Sequence, residues 1–150
     1  MSHFLFITGA LRERSSRESA ELQLAHELWG LRSMLIRDNL RAYLTDRSSG
    51  LVYVLKEGIC AGFKIASGVL VPGDLSEFVR DELRAETAYG FVKTTEIRTW
   101  PSSPEESLAL LRTVLEVPDQ AELTRRLNLG MHRLTQAQYD AIFSALHPPA

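Results

Sequence analysis

Cysteine is almost missing from this chain: Cys60 is the only one among 150 residues. That excludes an intrachain disulfide and any zinc or iron–sulfur site built from several cysteines. Cys60 lies inside an apolar run, where a free thiol reads as a small core residue. Long basic runs are missing as well. Seventeen Lys and Arg against 19 Asp and Glu leave a net charge of −2, so there is no electrostatic arm for phosphate backbones, and non-specific nucleic-acid affinity is expected to be weak. No apolar stretch approaches the ~18 residues of a membrane span. Met1 leads directly into a short strand-like segment rather than a charged region followed by a cleavable apolar core. The expectation is a soluble, untargeted, cytoplasmic protein with no membrane partner.

Enzyme signatures are absent too. The sequence holds no Gly-x-x-x-x-Gly-Lys phosphate loop, no Gly-x-Gly-x-x-Gly turn and no serine in a nucleophile elbow. His3, His26, His132 and His147 are isolated from one another, without the spacing that a metal centre requires. Neighbouring acids such as Asp81-Glu82 and Glu105-Glu106 read as solvated helix faces. The chain is therefore expected not to be an enzyme itself, and to need no cofactor or metal.

What is present is an average globular composition, 45% hydrophobic and 24% charged, which fits one domain over residues 1–150. Phe4-Leu-Phe-Ile-Thr8 reads as a central strand buried on both faces. Ser15 stands three residues before Glu18, a capping box that opens a helix extending to about Leu28 and ending at Gly30. Ile36 to Leu44 reads as a second short helix, followed by a turn at Asp46–Gly50. Leu51–Leu55 and Ile59–Ala66, separated by a polar loop with Gly58, form the clearest hairpin signal, and Gly62 marks a bulge or a close approach. Pro72-Gly73-Asp74 is a turn, Leu75–Arg84 an amphipathic helix, and Tyr89–Trp100 a long half-exposed strand. Three helices close the chain. The first is capped by Ser103 with Pro104 at its first position, the second begins at Asp119, and the third opens with the capping box Thr135-Gln-Ala-Gln138. This order gives an α+β fold, a small curved β-barrel flanked by helices.

The residues left for chemistry are aromatics near glycines and arginines. Trp29, in Leu28-Trp-Gly-Leu-Arg-Ser33, either plugs the core or walls a pocket, and burial alone favours the core. Tyr89 and Phe91 share one face of the long strand, with Trp100 on the other. Arg12, Arg14 and Arg17 follow the first strand closely enough to contact a few phosphates.

Taken together, these segments resemble the EVE and YTH branches of the PUA-like superfamily, small barrels that read modified bases. Phe4–Thr8 is similar to their first strand, and Leu28–Ser33 to the tryptophan segment after their first helix. Leu51–Leu55 with Ile59–Ile65 is similar to their central hairpin, Tyr89–Ile97 to the late EVE strand, and Asn128–Ile142 to the terminal EVE segment. The chain departs from the pattern at Asp46–Gly50, where EVE domains carry a glycine-aspartate signature. It departs again in 67–88, which offers Phe78 but no second tryptophan. The resemblance implies a methylated or hydroxymethylated base flipped out of its strand into an aromatic pocket, where stacking contributes ~1–3 kcal/mol without a strongly basic surface. It makes Trp29 a cage wall, Ser33 an edge contact, and Thr8 with Gly9 a backbone lip. Phe78 and Tyr89 are further base contacts, and Arg32 joins Arg12, Arg14 and Arg17 as a phosphate contact. The implied partner is nucleic acid, DNA rather than RNA, in the specificity module of a modification-dependent restriction system, with a nuclease or motor on another chain or segment. The alternative is a protein-interaction or dimerisation domain that docks through the apolar helices of 104–146, and a third reading is a small-molecule enzyme assembled without local motifs.

Overall fold

A computed structural model describes residues 2–8, 14–83 and 88–146. In chain order the elements are β1 (Ser2–Thr8), α1 (Ser16–Ala25), β2 (Leu28–Leu31), α2 (Met34–Tyr43), β3 (Ser48–Val54), β4 (Gly58–Ile65), α3 (Glu77–Leu83), β5 (Gly90–Thr99), α4 (Pro104–Val114), α5 (Gln120–Leu127), β6 (Met131–Leu134) and α6 (Gln136–Leu146). Pro72–Asp74 makes a single 3-10 turn. Among the described residues no helix is long and apolar enough to cross a membrane.

The six strands form one sheet in the order β2-β5-β4-β3-β1-β6, in which only the β1–β3 pair is parallel. It is curled into a half-barrel, as the packing across it proves. Phe6 on β1 and Trp29 on β2 lie four strands apart in sheet order, yet their ring centroids are 6.1 Å apart. Bulges tighten the curl, one between Val52 and Tyr53 and one between Gly62 and Lys64. At Gly62 a Cβ would meet Leu51 at 3.2 Å and Trp100 at 3.3 Å, so the bulge and the close approach expected there occur together.

Side-chain alternation divides the core between the two faces of this sheet. Phe4, Phe6, Val52, Val54, Phe63 and Val92 point to the concave side, where Trp29, Ala20 of α1 and Ile36 and Leu40 of α2 close over them. Leu5, Leu51, Tyr53 and Ile59 point to the convex side, beneath Leu111 of α4, Leu123 of α5 and Ile142 of α6. β1 is covered on both faces, as its unbroken apolar run required. The helices of 104–146, read from sequence as a possible docking surface, turn these stripes inward against the sheet.

The expected caps are in place: Ser15 with Glu18, Ser103, Asp119, and Thr135 with Gln138. The turn expected at Asp46–Gly50 is shorter, since Ser48–Gly50 already pairs with β1 and β4 as the start of β3. Two further expectations need correction. The first helix stops at Ala25, not Leu28, because Glu27 adopts φ 54° and turns the chain, so Leu28–Leu31 runs as a strand against β5. Trp29 therefore sits on a strand rather than at a helix end. The second correction is β6, which the sequence reading left inside the terminal segment and which pairs antiparallel with β1.

Gly50 lies at the centre of the concave packing. A Cβ there would stand 2.8 Å from both Phe6 and Phe63, the rings that contact Trp29. Gly50→Ala is accordingly expected to lower unfolding free energy by about 1–3 kcal/mol through overpacking. Chemical denaturation measures it, and an unchanged midpoint would show that the rings yield freely.

Candidate nucleic-acid interface

At the end of the half-barrel where β1 and β3 finish, the α5–β6 turn and the start of α2 enclose a cavity of about 290 Å³. Its size is near the lower end for ligand pockets. Phe6, Ile7, Ile36, Leu55 and Leu127 supply apolar walls, Trp29 an aromatic one, and Arg32, Ser33 and Asn128 polar groups. Trp29 is at once core and wall. It is 3% exposed, with ring centroids 6.1 Å from Phe6 and 6.0 Å from Phe63. Buried tryptophans ordinarily give their N–H to an acceptor. Trp29 makes no such bond among the described residues, and its nitrogen is not one of the two enclosed, unpartnered side-chain atoms there, Thr8 Oγ1 and Thr94 Oγ1. The indole nitrogen, on a residue that lines the cavity, is therefore not fully enclosed.

Arg32 borders the same cavity under tight support. Gly30 N–H donates to Gln23 Oε1 at 2.7 Å, and Gln23 Nε2 donates to the Ser19 carbonyl and hydroxyl at 3.2 and 3.3 Å. Arg32 in turn donates to Ser19 Oγ at 3.1 Å. Ser19 and Gln23 are buried. No described carboxylate pairs with Arg32, and burial pulls its guanidinium below the ordinary arginine range. A half-buried guanidinium without a carboxylate is poised for an anion. Ser33 caps α2, its Oγ accepting from Ile36 N–H at 3.1 Å, which leaves its O–H as a donor. Leu129, which lines the cavity, and Met34 and Leu35, which follow Ser33 in sequence, are exposed apolar residues, at 56%, 55% and 66%.

Of the residues singled out from sequence, the cavity thus brings together Trp29, Arg32 and Ser33. Thr8 is next to it, one step beyond Phe6 on the same face of β1, with its enclosed hydroxyl unpartnered. Tyr89 and Phe78 are elsewhere. Tyr89 is 45% exposed just before β5, and Phe78 is 68% exposed on α3, edge-on to His26. Arg14 donates to the Glu82 carbonyl, in a narrow crevice also lined by Arg32. Arg17 is ion-paired with Glu57 at 2.6 Å and Glu21 at 3.6 Å, beside a separate cleft with Cys60 and Trp100. That cleft is larger, about 710 Å³; in it the Trp100 indole donates to Ile59 O at 2.9 Å, Ser102 Oγ donates to Glu57 O at 2.8 Å, and burial pushes the Cys60 thiol up. Gly9 and Arg12 lie outside the described residues. No group of three or more His, Cys, Asp or Glu among the described residues is placed to hold a metal.

No protein-family model matches the sequence, and no curated protein matches it significantly. Solved structures do. Human THYN1 in complex with DNA containing 5-methylcytosine aligns at TM-score 0.56 with 18% identity, over 100% of both chains. The YTH domain-containing protein mmi1, in complex with RNA, aligns at 0.60 with 10% identity over 96% of this chain and 81% of its own. Rpa0253 from Rhodopseudomonas palustris aligns at 0.55 with 13% identity over 99% and 97%. The fold is EVE/YTH-like.

Within this EVE/YTH-like fold the wall that sequence reasoning missed is the α5–β6 turn. Gly130, at φ +87°, closes it, and its carbonyl accepts from Ile7 N–H at 3.0 Å. A Cβ at Gly130 would meet Ile36 at 2.8 Å. Nearby, Arg125 and then Arg126 hold the Glu122 carboxylate down to about 2, so both cations on α5 are already paired.

His132 pins the turn from below, its Nε2–H donating to Arg126 O at 2.6 Å, and burial holds the imidazole below its ordinary value. Below about pH 6.5 the unfolded His132 takes up a proton that the folded one resists. Stability from this group is thus present at higher pH and is lost as pH falls from there toward the lowered folded value. His132→Gln keeps a donor but does not titrate. Urea midpoints at about pH 7.5 and 5.5 should show a larger acid loss in the wild type than in this variant, and equal losses would contradict the assignment.

Proposed function

We propose that the chain is a non-catalytic nucleic-acid-binding module that accepts a methylated or hydroxymethylated base, flipped from its strand, into the cavity beside Trp29. The observation that carries this reading is an aromatic-walled cavity of about 290 Å³ lined by Trp29, whose indole N–H has no partner among the described residues, and by Arg32, whose guanidinium has no carboxylate among them. The wall can stack on a base, and Arg32 can take the phosphate beside it. Leu129, exposed and lining the cavity, offers apolar contact to a neighbouring base. A pocket of this kind binds without a strongly basic surface, in keeping with the net charge of −2. The fold likeness to THYN1 and to mmi1, solved with 5-methylcytosine DNA and with RNA respectively, supports the same partner class. We favour DNA, and a role as the specificity part of a modification-dependent restriction system whose nuclease or motor is on another chain or segment.

Fluorescence polarisation tests this with matched oligonucleotides carrying one central cytosine or adenine, plain or modified, at ~0.1 M salt. A preference of tenfold or more, ~1.4 kcal/mol, is expected for one modification, and uniformly weak binding across the panel would refute it. Trp29→Phe keeps an aromatic core residue and is expected to reduce the preference. Arg32→Ala is expected to weaken modified and plain strands alike and to lower the salt slope by about one.

A further inference from the structure

Resting on that reading of the cavity, we propose that Asn128 is the specificity-determining residue that reads the hydrogen-bonding edge of the bound base. Trp29 N–H and the Arg32 guanidinium can only donate, and the Ser33 oxygen already accepts from Ile36 N–H. Asn128 brings the one carboxamide among the described lining residues, a donor and an acceptor side by side. Its side chain makes no hydrogen bond to any described residue, so both groups are available.

Its backbone, by contrast, is fixed. Asn128 closes α5, its N–H donating to Thr124 O at 3.0 Å. The next two N–H groups fold back onto Arg126 O and Leu127 O at 3.1 Å each. The turn is held below by His132 and beside β1 by the bond from Ile7 to Gly130. A free carboxamide on a tethered turn is a preorganised reader, because little order remains to be imposed when the base arrives. The edge it matches bidentately has an exocyclic amino group next to a ring-nitrogen acceptor, as in cytosine and adenine. The donors of Trp29 and Arg32 remain for acceptor atoms elsewhere on the same nucleotide.

The test uses the full chain and the panel of 5-methylcytosine, cytosine, N6-methyladenine and adenine oligonucleotides, with wild type, Asn128→Leu and Asn128→Asp. Leucine keeps the volume and removes both hydrogen-bonding groups, while aspartate keeps shape and acceptor but removes the donor. Both variants are expected to bind the preferred modified strand at least tenfold more weakly than wild type and to melt at the wild-type temperature, since Asn128 is exposed. A variant that binds the modified strand as tightly as wild type overturns the role of Asn128 while leaving the pocket standing. A wild type with no preference overturns the pocket itself, and this inference with it.

Discussion

The packing of Trp29 between Phe6 and Phe63 is the contact on which the rest of the structure depends. It joins β2 to strands far from it in sheet order and so fixes the curl of the half-barrel. Gly50 provides the space for those rings. The same indole that closes the concave core is the wall of the cavity at its end. Core and candidate site are therefore one piece of packing, and the orientation of the aromatic wall is set by a close-packed interior rather than by a loop.

Charge is distributed with similar economy. Arg17, Arg125 and Arg126 have carboxylate partners, whereas Arg32 donates to the neutral Ser19, itself held by Gln23. A guanidinium held by neutral groups keeps its field for an incoming anion, while one paired to a carboxylate has most of its field cancelled. A protein of net charge −2 can in this way present a cation beside the aromatic wall of the cavity.

Much of the fold was legible in the sequence because its signals are local. Ser15 with Glu18, Ser103, Asp119 and Thr135 with Gln138 each announce a helix through hydrogen bonds spanning three residues. The Leu51–Ile65 hairpin announced itself through two β-rich runs around Gly58. β6 was not legible, since Met131-His-Arg-Leu134 is short, of mixed polarity, and is a strand only because β1 lies beside it. β2 was misjudged because Leu24 and Leu28 continue a helical spacing that a left-handed Glu27 breaks. The site divides along the same line. Trp29, Arg32 and Ser33 are adjacent in sequence and were found together, whereas Asn128 reaches them only through the β1–β6 pairing. Arg17 looked available because its partner Glu57 stands 40 residues away in the hairpin turn.

The most direct measurement of the central claim, that the base enters the cavity beside Trp29, follows the two indole N–H resonances of a ¹⁵N-labelled sample, for the chain holds only Trp29 and Trp100. The Trp100 N–H is already bonded to Ile59 O and borders a different cleft, so it serves as an internal control. On titration with the preferred modified oligonucleotide the account predicts a large, saturable shift of the Trp29 resonance and little change at Trp100. Saturable binding that leaves the Trp29 resonance in place would contradict it.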